Sequence, residues 1–377
     1  MKIVADKDLF QVKTLFSELG ELVLIPGREI RNHHLLGVDA LIVRSTTIVS
    51  EQLLVGTSLK FIGSATSGTD HIHLDFLNEK NIAFANATGC NANAVTDYCL
   101  AAISAIQDDE IFDKGKPKVG IIGNGMIGSQ LARKIRSLDW TVLVNDPPQR
   151  NLNLSAANDL VYYSLNELTE CNIISLHVPL VSSGAHSTKN LIGKEFLYSL
   201  PENAILINTS RGGVIDEDAL LEVMLERKDL RLVMDVWENE PRCNESLIDL
   251  AYIATPHIAG YSNKAKEKAS LQMLAAFAEF FGQPTHLPKL PDSDISIPLV
   301  LNDIEGHASA ICKVFPIKDV STRFKNSLSG KETCNENESF DDLRKELNKR
   351  REFCAYSMPK LISEESVRFL TAAGFQN

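Results

Sequence analysis

Three side chains in the middle of this sequence have the types needed to oxidise an alcohol: Arg211, Glu240 and His257. Such a reaction takes a hydride from carbon and a proton from oxygen. The proton needs a base that works near neutrality, and an imidazole fits without tuning. A carboxylate bonded to that imidazole fixes its tautomer and stabilises the imidazolium, a part Glu240 can take. A guanidinium holds a substrate carboxylate through two parallel bonds, a part Arg211 can take. All three follow apolar runs that read as strands: 204–208, 230–234 and 252–255. Asp235 follows the second of these. If the strands are parallel, their carboxyl ends form one edge, where ligands of open α/β sheets bind.

The hydride needs an acceptor, and residues 118–146 supply a place for one. Val119 to Ile122 reads as a short buried strand. Gly123, Gly125 and Gly128 have the G-x-G-x-x-G spacing. Such glycines make the tight turn, let backbone approach a pyrophosphate and let the helix lie close to the strand. The following helix, over 129–138, points its first amides at the phosphates. A second strand, 141–144, leads to Asp146. An acid about 20 residues past the glycines suits a ribose 2′-hydroxyl and repels a 2′-phosphate, so the expected cofactor is NAD rather than NADP.

Length and charge bound what surrounds this core. The 377 residues suggest two or three domains. A formal charge of −11 argues against a general nucleic-acid or membrane surface. The N-terminus lacks a signal-peptide pattern, no apolar run is long enough to span a bilayer, and a cytoplasmic protein is expected. The seven cysteines are scattered without a C-x-x-C, so Cys90, Cys99, Cys171 and Cys312 read as reduced core residues. His33–His34 and the His71/His73 pair lack metal-ligand spacing, and no metal is expected.

The elements that must position these groups alternate as βα units. Strands are expected at 2–5, 21–25, 40–43, 61–64 and 82–85, giving a small parallel α/β domain. Its strand-end loops carry Arg44-Ser45-Thr46 and Ala65-Thr66-Ser67-Gly68. Residues 91–106 form an apolar helix, and 108–116 reads as a linker. Further strands are expected at 160–163 and 172–177, with the Val178 backbone at the end of the latter. An amphipathic helix over 264–281 can return to the first domain. Residues 284–298 read as a Pro-rich linker, 311–315 as a strand or helix, 327–339 as a polar loop and 340–356 as a charged helix. The division expected is 1–95 completed by 258–285, then 96–257, then 286–377.

The runs Asn-Thr-Ser-Arg-Gly-Gly (208–213), Asp-Val-Trp-Glu-Asn-Glu-Pro (235–241) and Thr-Pro-His-Ile-Ala-Gly-Tyr (255–261) resemble the D-isomer-specific 2-hydroxyacid dehydrogenases. The resemblance implies two doubly wound parallel-sheet α/β domains, a Rossmann NAD domain and a flavodoxin-like substrate domain, with NAD in the cleft between them. It also implies that Arg211, Glu240 and His257 are the catalytic triad, with His257 exchanging the proton. The formate-oxidising branch has Gln where Glu240 stands. The candidate NAD contacts are Gly123, Gly125, Met126, Ile127, Gly128, Asp146, Val178, Thr209, Ser210, Asp235 and Gly260. Many relatives have Thr where Val178 stands, which matters little for a backbone contact. The resemblance places Ser45, Thr66 and Tyr261 on the substrate.

Within the family, Ser-Ala-Thr-Ser-Gly-Thr-Asp-His-Ile (64–72), Asn-Asp-Pro-Pro (145–148), Phe340-Asp-Asp-Leu-Arg and Lys349-Arg-Arg-Glu resemble a branch that oxidises a small phosphorylated hydroxy acid. That branch implies a homodimer built through a small C-terminal α+β dimerisation domain. A phosphate needs cations, and Arg44, helped by Arg350 or Arg351, is the candidate. Two alternatives share the triad: a branch acting on a three-carbon phosphorylated acid, and NAD-sensing binding proteins.

Overall fold

The strands form where short apolar, β-branched runs occur. In the first sheet these are Lys2–Asp6 (β1), Glu21–Ile25 (β2), Ala40–Val43 (β3), Phe61–Ser64 (β4) and Ala83–Asn86 (β5). In the second they are Lys118–Ile122 (β6), Thr141–Asn145 (β7), Ile173–Leu176 (β8), Ile205–Asn208 (β9), Arg231–Met234 (β10) and Ile253–Ala254 (β11). Near-continuous apolar runs are what strands covered on both faces require. The computed structural model describes residues 1–107, 116–151, 161–284, 297–299, 306–328, 340–347, 349–358 and 362–376. The expected linkers at 108–116 and 284–298 and the polar loop at 327–339 lie largely outside these.

The chain divides into two compact units, Met1–Asn91 with Ser262–Ser293, and Ala92–Tyr261 with Asp294–Asn377. The first holds a parallel sheet in the order β2-β1-β3-β4-β5, the flavodoxin-like arrangement. Alternate residues of its strands face opposite layers. Ile3, Ala5, Ala40 and Ile42 pack with Phe16, Met273 and Phe277 on one side. Val4, Leu41, Val43 and Ile62 pack with Leu35, Leu54 and Leu77 on the other. The helix Asn263–Phe281 brings Met273 and Phe277 back to this sheet. Its Ser262 cap accepts from the Ala265 amide, and Gly282 ends it in the left-handed conformation.

The second unit has the order β11-β10-β9-β8-β6-β7, all parallel. The order reverses between β6 and β8, so those two strand ends flank a switch point. Ile121, Ile173 and Ile205 face one layer with the helix Ala92–Gln107. Ile122, Ile174 and Leu206 face the other with Trp237 and Leu247. The strand expected at 160–163 is reduced to one bridge, Tyr162 to Val144, among the described residues.

The C-terminal segment contributes helices His307–Val314, Ile317–Leu328, Phe340–Leu347 and Glu364–Ala373. The Ile317–Leu328 helix went unpredicted, although Pro316 just ahead of it and the i, i+3, i+4, i+7 set Ile317, Val320, Ser321 and Phe324 are its signals. The helix expected over 340–356 stops at Leu347. Beyond it, Arg350 turns inward and the Phe353 amide donates to Asp97 at 2.8 Å rather than extending the helix. A two-residue parallel pair joins Ile297–Pro298 to Tyr356–Ser357.

Candidate active site

The carboxyl ends of β9, β10 and β11 carry the expected triad. Past β9, Asn208 shapes the turn: its Oδ1 accepts from the Ser210 amide at 3.0 Å and the Ser210 hydroxyl at 2.7 Å, and its Nδ2 donates to the Arg211 carbonyl. Gly212 then presses against the Trp237 carbonyl, where any Cβ would collide. The Arg211 turn therefore lies directly on the loop that carries Glu240.

That loop is built around Trp237. Its ring is buried and donates Nε1–H to the Thr255 carbonyl at 3.0 Å. Its amide donates to Glu240 Oε1 at 2.9 Å, leaving Oε2 for His257 Nδ1 at 2.7 Å. A carboxylate only accepts, so Nδ1 carries the proton and Nε2 presents its lone pair. Burial pushes the Glu240 carboxyl up, but the His257 charge and hydrogen bond, the Trp237 amide and the Arg344 charge outweigh it and hold the group below its ordinary value. Glu240 thus stays ionised beside the imidazole.

The His257 backbone is clamped by Asp235. The Asp235 carbonyl accepts from the His257 amide at 2.7 Å, while its carboxylate accepts from the Ile258 and Ala259 amides and the Thr255 hydroxyl. Tyr98 shares that hydroxyl at 2.6 Å. His257 itself has φ 55°, a left-handed conformation that costs a non-glycine residue about 1–3 kcal/mol. The clamp holds it there. Asp235 is fully buried, and burial raises its carboxyl above the usual range.

The glycine loop matches its expected form. Gly123 has φ +95° and abuts the His177 carbonyl at the end of β8, next to Val178. A Cβ at Gly128 would strike the Gly123 carbonyl, so the helix Met126–Arg136 can lie this close to β6 only with glycine there. Gly125 has open space where a Cβ would project. Asp146 Oδ2 accepts from the Asn124 amide at 2.7 Å, tying the end of β7 to this loop. An open cradle at a helix N-terminus with an acid at the neighbouring strand end fits a dinucleotide. Thr209 and Ser210 are buried under the Arg211 turn.

Of the two suggested phosphate helpers, Arg350 differs from expectation. Arg350 is not a solvated cation: it donates to the Ala94, Ala259 and Tyr261 carbonyls at 3.0, 3.0 and 3.1 Å and lies 4.5 Å over the Phe315 ring. It is scaffold for the loop after His257. Arg351 is half-buried. In the first unit, Arg44 donates to Asp6 at 2.8 Å and Asp8 at 3.0 Å. Thr66 shares a 2.8 Å bond with Ser64 and donates to the Gly68 carbonyl, while Ser45 is exposed. Trp237, Thr255 and Tyr98 were not picked out from sequence. Trp237 and Thr255 stand inside the motifs, but their bonding follows only from tertiary contact.

Comparison with known proteins agrees with this geometry. The family described as "D-isomer specific 2-hydroxyacid dehydrogenase, NAD binding domain" matches residues 104–259. Erythronate-4-phosphate dehydrogenase of Pseudomonas syringae pv. syringae is 37% identical over 360 residues, covering 93% of each chain. That of Azotobacter vinelandii is 39% identical over 361 residues, again covering 93% of each. The chain belongs to the erythronate-4-phosphate dehydrogenase family of D-isomer-specific 2-hydroxyacid dehydrogenases. A solved NAD⁺-bound 3-phosphoglycerate dehydrogenase of Entamoeba histolytica has a similar fold, with TM-score 0.63 and 26% identity over 75% of this chain and 95% of that one. The protein is an NAD-dependent 2-hydroxyacid dehydrogenase. Among the described residues no helix is long and apolar enough to cross a membrane, and no cluster of three or more His, Cys, Asp or Glu could hold a metal ion.

Proposed function

We propose that the protein oxidises 4-phospho-D-erythronate at C2 to (R)-3-hydroxy-2-oxo-4-phosphooxybutanoate, a step on the way to pyridoxal 5′-phosphate. The observation that carries the chemistry is the 2.7 Å contact of Glu240 with His257 Nδ1, which leaves Nε2 as base. NAD, when bound, supplies the hydride acceptor. His257 takes the C2 hydroxyl proton, and Glu240 stabilises the imidazolium that results. Arg211 holds the substrate carboxylate through paired bonds. Asp146 takes the ribose hydroxyls, and the glycine loop with Met126 and Ile127 takes the pyrophosphate. Val178, Thr209, Ser210 and Gly260 complete the cofactor contacts. Asp235 joins them through lone pairs that its loop bonds do not use. Tyr261, Ser45 and Thr66 are substrate contacts, and Arg44 is a cation for the phosphate. The proposed assembly is a cytoplasmic homodimer formed through residues 286–377.

Initial-rate NADH formation with 4-phospho-D-erythronate beside 3-phospho-D-glycerate tests this. A higher kcat/KM for the four-carbon acid is the expected result. Preference for the three-carbon acid would overturn the substrate and leave the triad standing. Turnover of neither acid, with NAD still bound, would point to an NAD-sensing role instead.

A further inference from the structure

The C-terminal segment delivers a second cation to the triad. Phe340 and Leu343, one turn apart on the helix Phe340–Leu347, are buried in the layer that also holds Trp237. Aromatic contacts run from Trp237 to Phe324 at 6.2 Å and from Phe324 to Phe340 at 5.8 Å. The helix is therefore linked through Phe324 to the loop that carries Glu240. Arg344, the next residue after Leu343, lies 5.1 Å from the centroid of the Tyr261 ring and 5.5 Å from that of Phe340. Its Nη2 donates to the Tyr261 hydroxyl. Tyr261 closes the turn that begins at Ile258, directly after His257. Arg344 is also close enough to Glu240 for its charge to favour that carboxylate.

A hydroxy acid with one carboxylate needs one cation, and Arg211 is that cation. A second guanidinium beside the same acid–base pair suits a substrate with a second anionic group. The guanidinium carbon lies over two aromatic rings, and a guanidinium's donors point along the edges of its plane. The bond to the Tyr261 hydroxyl, one contact of this guanidinium among others, is to a neutral oxygen. A phosphate dianion competes for such donors with charge-assisted bonds roughly twice as strong.

We infer that Arg344, carried by the C-terminal helix and seated on Tyr261, recognises the substrate phosphate and so sets the preference for phosphorylated acids. The inference rests on the proposed oxidation of a phosphorylated hydroxy acid. It gives the C-terminal segment a part in substrate choice. It also replaces Arg350, whose Nε and Nη2 donate to backbone carbonyls, as the cation this segment supplies.

The test compares kcat/KM for 4-phospho-D-erythronate and unphosphorylated D-erythronate in the wild type, Arg344→Ala and Arg344→Lys, with NAD affinity measured on each. The ratio of the two kcat/KM values should fall at least about thirtyfold in Arg344→Ala, the scale of a lost charge-assisted bond. It should fall less in Arg344→Lys, which keeps charge without the planar fork. Unchanged NAD affinity shows that the variants are folded; if Arg344→Ala is not, the fall in Arg344→Lys decides. Equal losses on both acids, or no loss, would overturn the inference and assign Arg344 to the scaffold. A wild type that fails to prefer the phosphorylated acid would instead sink the underlying reading.

Discussion

In the first unit, the edge past β1, β3 and β4 closes its polar groups upon one another. Asp6 is buried and held by Arg44, which also reaches Asp8, and the Ser64 hydroxyl bonds both Thr66 and His71. In the second unit, the edge past β9, β10 and β11 also begins with a buried acid, Asp235. There the acid accepts from loop amides and so aims His257. His257 and Glu240 are left partly exposed, with side-chain exposures of 33% and 23%. Both sheets gather polar residues at strand ends, where ligands of doubly wound folds bind. That placement does not decide what those residues do. A buried acid that pairs with a cation makes a fixed frame, and one that holds backbone makes a presented base.

Breaking the second edge should have the largest effect. His257→Ala removes the proton acceptor and should lower kcat by about 10²–10⁴-fold, the usual worth of general-base catalysis. A kcat near that of the wild type would move the base elsewhere. Glu240→Gln keeps the shape but not the charge, and a loss of about 10–100-fold is expected from one charge-assisted bond. Steady-state kinetics at saturating NAD would expose a smaller role if the loss stays within the error of the assay.

On the first edge the expected damage is to stability as well as to substrate binding. Arg44→Ala strands the buried Asp6 carboxylate and should lower unfolding free energy by about 1–3 kcal/mol in urea titrations. An unmoved midpoint would mean that Asp6 has other support. The smallest effect concerns Glu217, whose Oε1 accepts from the Glu238 amide at 2.7 Å, on the Glu240 loop. Burial pushes this carboxyl up to about 7. The folded protein then keeps a proton that the unfolded chain has already released. Its contribution to stability is fullest below the ordinary carboxylate range and is lost as pH rises to about 7. Glu217→Gln should remove about one proton's worth of that slope. Superimposable stability–pH curves for the two proteins would contradict the raised carboxyl.

Much of this was legible in the residues. The glycine spacing, the acid after the second strand and the βα alternation are local signals, and the second sheet follows from them. The placement of Arg211, Glu240 and His257 beyond the strand ends of one sheet was legible because each follows a strand in motifs with specific neighbours. What the chain order hid were contacts between distant segments. Arg350 sits in a charged run that looks solvated, yet Ala94 and Ala259 draw it inward. Arg344 meets Tyr261 across 83 positions. The Asp235–Thr255–Tyr98 clamp joins two sheet loops to a helix begun at Ala92. Periodicity carries no information about such pairings.

The central claim is that Glu240 and His257 act as one acid–base unit. A double-mutant cycle in kcat over wild type, His257→Ala, Glu240→Gln and the double variant measures this directly. The account predicts that the double variant is no slower than His257→Ala alone, because Glu240 works only through the imidazole. Losses that multiply would show two independent contributions and would contradict it.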